Sequence, residues 1–120
     1  MELEYHTIDG SIYAELKGPA HCIQDTQDML DLIATANYYR GASGIIINET
    51  HLPVDFFDLR TGLAGEFLQK CSNYRFNLAI TGDFSNVKSR SLRDFIRESN
   101  QTGRVLFVSE IREAVKKWVR

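Results

Sequence analysis

From Leu3 to Leu16 apolar and polar residues alternate on either side of Asp9-Gly10. That dipeptide suits a two-residue turn in which both positions take positive φ, so the pattern predicts a β-hairpin. Closing the turn there pairs Ile8 with Ser11, Thr7 with Ile12, Tyr5 with Ala14 and Leu3 with Leu16. Leu3, Tyr5, Thr7, Ile12, Ala14 and Leu16 then share one face, and Glu2, His6, Tyr13 and Lys17 the other. The same register sets Glu4 opposite Glu15, an unfavourable like-charge pair.

Gly18-Pro19 ends the second strand, and the period then lengthens from two to between three and four. Asp25 as N-cap, Asp28 in the first turn and a stripe of Met29, Leu30, Ile33, Ala36 and Asn37 predict a helix. It ends at Arg40 with Gly41 as the stop. Ile45-Ile46-Ile47 does not alternate, which is how a strand covered on both faces reads. Phe76 to Ile80, interrupted by Asn77, and Val105 to Val108 read the same way. Between them a helix is expected from Asp58 to Cys71, with Leu63, Ala64, Phe67, Leu68 and Cys71 inward. A second is expected from Ser89 to Asn100, with Leu92, Phe95 and Ile96 inward and Gly103 beyond its end. A last helix starts at Ser109 as N-cap. Its stripe of Ile111, Ala114, Val115, Trp118 and Val119 predicts a substantially buried Trp118.

The resulting order, β-β-α-β-α-β-α-β-α, predicts an α/β domain with a mostly parallel central sheet packed by helices behind an N-terminal hairpin. With 120 residues, 43% apolar and 25% charged, residues 1–120 are expected to form a single globular domain. The net charge of −2 argues against nucleic-acid binding and against attraction to an anionic membrane. No apolar run approaches the roughly 18–20 residues of a membrane span. Met1-Glu2-Leu3-Glu4 has neither the basic region nor the apolar core of a signal peptide, so a cytoplasmic location is expected. Two cysteines, Cys22 and Cys71, stand far apart in no metal-type spacing, which argues against a disulfide scaffold and a zinc site.

The element order resembles that of STAS domains, the fold of bacterial anti-sigma-factor antagonists. In that family a helix begins with Asp, two hydroxyl residues, Gly and Leu, and the second hydroxyl residue is a phosphorylation switch read by partner proteins. Thr61-Gly62-Leu63 resembles the end of this pattern, with Asp58 one residue early and Leu59-Arg60 in place of the single hydroxyl residue. A second resemblance spans nearly the whole chain, to a bacterial domain-of-unknown-function family numbered 4180. It rests on Ile47-Asn48-Glu49, Asp55-Phe56-Phe57-Asp58-Leu59, Thr61-Gly62-Leu63-Ala64-Gly65-Glu66 and Asn73-Tyr74-Arg75. Gly82-Asp83-Phe84-Ser85 and Ser91-Leu92-Arg93-Asp94-Phe95 complete it. That family implies no activity.

In open α/β sheets, sites form beyond the carboxyl ends of the parallel strands. This edge is expected to collect Asn48, Glu49, His51, Asp55 and Asp58 after one strand, Thr81, Gly82, Asp83 and Ser85 after the next, and Ser109 after the last. Arg60, Arg90 and Arg93 stand near the same rim. One reading is a polar pocket for an anion or small molecule, centred on Asn48, Glu49, Asp83 and Ser85. The other makes Asp58, Ser89 and Ser109 helix caps and Gly82-Asp83 a turn. Asp58, Arg60, Thr61 and Gly62 form the candidate switch or partner-contact segment. Thr61 is expected at the third position of its helix, where a phosphate would meet the positive end of the dipole. Glu49-x-His51 with Asp55 or Asp83 fits no metal motif and lies on a loop expected to be flexible, so no metal and no cofactor are assigned. Phosphate-loop, dinucleotide and nucleophile-elbow motifs are all missing, and Cys71 falls on an apolar face. The expectation is a non-enzymatic regulatory or interaction module with a protein partner or a second copy of itself; a small-molecule binder or enzyme is the rival.

Overall fold

The computed structural model describes residues 2–118, without the side chains of Tyr39 and Arg40; the part expected of Val119 lies outside the described residues. Asp9 at φ +50° and Gly10 at φ +82° turn the chain between β1 (Glu2–Ile8) and β2 (Ser11–Lys17). The strands pair antiparallel with Leu3 on Leu16, Tyr5 on Ala14 and His6 on Tyr13. Next come α1 (Thr26–Arg40), β3 (Gly44–Asn48), α2 (Leu63–Asn73), β4 (Asn77–Thr81), α3 (Arg90–Thr102), β5 (Val105–Val108) and α4 (Ile111–Trp118). Asp25 caps α1 by accepting from the Asp28 N–H at 2.9 Å, and Gly41 closes it at φ +64°. Ser89 caps α3 through the Leu92 N–H.

The sheet runs in chain order, β1-β2-β3-β4-β5, parallel throughout except for the β1–β2 pair. With each strand beside its predecessor and crossovers of one hand, the three crossover helices fall on the same face. The main core accordingly joins Met29, Leu32, Ile33 and Ala36 of α1 with Ala64, Phe67 and Cys71 of α2 and Ile96 of α3. These pack on Ile45, Ile47, Leu78, Ile80, Val105 and Phe107. The other face carries a smaller cluster of Tyr13, Ile46, Ala79, Leu106 and Val108 under Ala114 and Val115 of α4. Strands buried on both sides explain why the isoleucine run of β3 does not alternate.

Several expectations shift. Met29, Ile33 and Ala36 of the α1 stripe are buried as expected, but Leu32 joins them and Asn37 is exposed. The helix expected from Asp58 is divided: Leu59–Thr61 makes a 3₁₀ turn, Gly62 takes φ +76°, and α2 begins at Leu63. A residue at that φ cannot continue a right-handed helix, and glycine adopts it without Cβ strain. Thr61 therefore precedes α2 instead of lying in its first turn. Ser109 precedes α4 by two residues and its hydroxyl bonds the Glu113 carboxylate. Trp118 is half-buried, its ring stacked 5.6 Å from Tyr13 and its Nε1–H donating to the Gly103 carbonyl at 3.0 Å.

The segment between β3 and α2 is packed, contrary to the expected flexible loop. His51, Leu52, Pro53 and Phe56 are buried. Residues 21–23 lace onto it through His21 N–H to Thr50 O and Ile23 N–H to His51 O. Phe56 meets Phe67 edge-on at 5.2 Å, and Phe57, Phe84 and Phe95 surround Phe107 at 5.4–6.4 Å. This aromatic cluster anchors the loops that follow β3 and β4, and so holds the strand-end edge in place.

Candidate functional site

Asn48 and Thr81 end neighbouring strands and are direct partners in the β3–β4 register. The Asn48 Nδ2 donates to Thr81 Oγ1 at 3.1 Å, and the Thr81 hydroxyl donates to the Ile47 carbonyl at 3.2 Å. Asn48 Oδ1 accepts from the Thr50 N–H and hydroxyl, which caps the 3₁₀ turn Glu49–His51. The Asn48 N–H donates to His51 Nδ1 at 3.0 Å, so that nitrogen is the acceptor and the ring proton sits on Nε2. Burial holds the His51 pKa below its ordinary value; a hydrogen bond with the Gly18 backbone and the charge of Glu15 oppose the shift. His51 is a neutral brace inside the fold, with no free nitrogen pair for a metal.

Asn48, Thr50, His51 and Thr81 line a cleft of about 340 Å³ with Glu15, Lys17 and Gly18. Of the residues expected at this edge, Asn48, His51 and Thr81 line the cleft, whereas Glu49, Asp58, Asp83 and Ser85 do not. Glu49 leans over Gly82, where a Cβ would stand 2.1 Å from its Oε2. Asp83 turns on its own loop, accepting from the Ser85 N–H at 3.0 Å and hydroxyl at 2.6 Å. The hydroxyl bond, then the backbone bond, lowers the Asp83 pKa. The chain bends at Gly82, and the Asp83 carboxylate is committed to the turn that follows at Ser85.

Asp58 and Arg60 form a two-pronged pair: Oδ1 accepts from Nε and Oδ2 from Nη2, each at 2.9 Å. This side-chain bond, with a further one from the Arg60 N–H, lowers the Asp58 pKa. The Thr61 hydroxyl donates to the Asp58 carbonyl at 2.8 Å and accepts from the Leu63 N–H at 3.2 Å. That last bond satisfies an otherwise open donor at the start of α2. Arg60, Thr61 and Gly62 are exposed. The segment is a self-contained turn standing apart from the cleft.

Burial pushes the Cys71 thiol up to about 12, so it is inert as a nucleophile. Cys22 is half-buried against the core, and both cysteines are free. A larger cleft, about 490 Å³, escaped the sequence reading. It lies at the opposite end of the sheet beside Asn77, Gly103, Arg104, Lys117 and Trp118. Asn77, which interrupts an apolar strand, accepts there from Arg104 Nη1 at 3.2 Å. No helix among the described residues is long and apolar enough to cross a membrane.

A family model described as Domain of unknown function (DUF4180) matches residues 8–118. Neither a curated protein nor a solved structure matches the chain.

Proposed function

Since the chain belongs to the DUF4180 family, we propose that it is a non-enzymatic regulatory module of the bacterial cytoplasm that works by protein contact through the Asp58–Gly62 turn. The observation carrying this reading is the turn itself, whose polar groups satisfy one another while Arg60, Thr61 and Gly62 face outward. A surface ordered before contact loses little conformational freedom on binding. The titratable groups support the same reading, because His51, Asp58 and Asp83 are each committed to a local structural bond.

Thr61 is the residue in this turn whose modification would matter most. A phosphate on Oγ1 would remove the proton given to the Asp58 carbonyl and add up to about two negative charges beside the α2 N-terminus. The test is quantitative cross-linking in the native host with three baits: wild type, Arg60→Glu and Thr61→Glu. Partners held by wild type and lost by Arg60→Glu support the contact face, and a changed partner set for Thr61→Glu supports the switch. Identical partner sets for all three baits would sink both.

The cleft of Asn48, Thr81 and Lys17 favours a second reading, a small anion held at the strand ends. Thermal shift with phosphate and small carboxylates, repeated on Lys17→Met, tests it. A stabilisation seen in wild type and missing in the variant would favour this rival.

A further inference from the structure

We propose that Glu4, His6 and Glu15 form a surface site for one first-row divalent metal ion of the Zn2+ type. The hairpin assembles the three without any sequence motif. Glu4 and His6 lie two apart on β1 and share a face, and the register sets Glu15 of β2 directly across from Glu4. His6 Nε2 stands 2.9 Å from Glu15 Oε1 and 3.8 Å from Glu4 Oε1, and the three donor atoms lie within 4.8 Å of one another. Ligands held about 2.0–2.2 Å from zinc stand roughly 3–3.6 Å apart, so the donors need only a small side-chain adjustment.

The chemistry of the set favours such an ion over Mg2+ or Ca2+. One imidazole and two carboxylates combine the nitrogen donor that zinc-like ions prefer with charge enough to neutralise them. Two glutamates facing each other across a hairpin repel, and a cation between them reverses the sign of that interaction. Lys17 does not occupy the place. Its Nζ bonds Glu15 Oε2 at 3.2 Å, which leaves Oε1 turned to His6 and orients the carboxylate as an outer-shell partner does. Backbone hydrogen bonds of two paired strands hold the frame, so the ligands stand on the most rigid support the hairpin offers. Glu15 also lines the cleft of Asn48 and Thr81, which places the ion at that cleft's margin.

The experiment is calorimetric titration of the full chain with ZnCl2 after chelator treatment, with MgCl2 as the contrast and Co2+ absorption as a spectroscopic readout. The expected result is one equivalent of Zn2+ per chain, visible ligand-field bands with Co2+, and no saturable heat with Mg2+. His6→Ala and Glu4→Gln should each weaken binding ~10-fold or more. Both positions are on a solvent-facing strand surface, and circular dichroism of each variant confirms its fold. Absence of saturable Zn2+ binding would overturn the proposal and leave the three residues as an ion-pair cluster. Binding unchanged in both variants would overturn it too, by assigning the ion to another place.

Discussion

His51 shows how far one side chain can be read from its surroundings. It is 7% exposed, accepts the Asn48 N–H and sits in the turn that Asn48 caps. Its folded pKa lies below the ordinary value of 6.5, so the unfolded chain takes up its proton first as pH falls. Stability is therefore full above about pH 6.5 and declines as pH drops from there through the folded pKa. Thermal unfolding followed between pH 7.5 and 5 should show this decline in wild type and a shallower one in His51→Gln. Equal slopes in the two proteins would mean that other groups carry the acid sensitivity. Sequence alone set this histidine aside as a metal ligand beside Glu49 without giving it another task, whereas its environment makes it a brace.

At the scale of elements, the two outer strands are protected by different means. β1 carries charged residues along its length, which discourages pairing with another chain. The free side of β5 is covered instead by α3: Asn100 accepts from the Phe107 N–H at 2.7 Å and donates to its carbonyl at 3.2 Å, and Ser99 donates to the Val105 carbonyl. One amide side chain thus stands in for a sixth strand. Asn100→Ala should cost about 2–3 kcal/mol, because it leaves a backbone donor and acceptor open at a partly buried edge. Chemical denaturation measures the loss, and light scattering should detect new self-association through β5. A loss below about 0.5 kcal/mol would show that water replaces the amide. The break at Gly62 belongs to this scale as well: one helix is expected from Asp58 onward, yet the backbone at Gly62 turns left-handed and the apolar stripe begins only at Leu63.

Across the whole molecule the helices are distributed unequally. Three cover one face of the sheet and the eight-residue α4 covers part of the other. Trp118 extends that short helix as far as β2, stacking on Tyr13, which is only 2% exposed. Trp118→Ala should destabilise by about 2 kcal/mol, less than for a fully buried tryptophan because part of the ring already meets water. That corresponds to a fall in Tm of roughly 6–12 °C for a domain of this size. A fall under 2 °C would mean that α4 holds its place without the ring. Beyond the reach of α4, the same face is left to Glu4, His6, Glu15 and Lys17, and there the metal site is proposed.

Much of the local structure follows from the sequence alone. The register of the hairpin, the caps at Asp25 and Ser89 and the stops at Gly41 and Gly103 all came out as read. Each depends on the sign of one φ or on a hydrogen bond spanning at most four residues, and such effects are written in adjacent positions. The alternation of strands with helices followed from periodicity in the same way. Tertiary structure alone decided the strand order, the face each helix takes and the packing of residues 49–57 under the aromatic cluster. It also separated the candidate site into a cleft at Asn48 and Thr81 and a turn at Asp58–Gly62, and made a histidine the link between two opposed glutamates. These outcomes depend on distances between residues far apart in the chain. A pattern of neighbours carries no record of such distances until the sheet has closed.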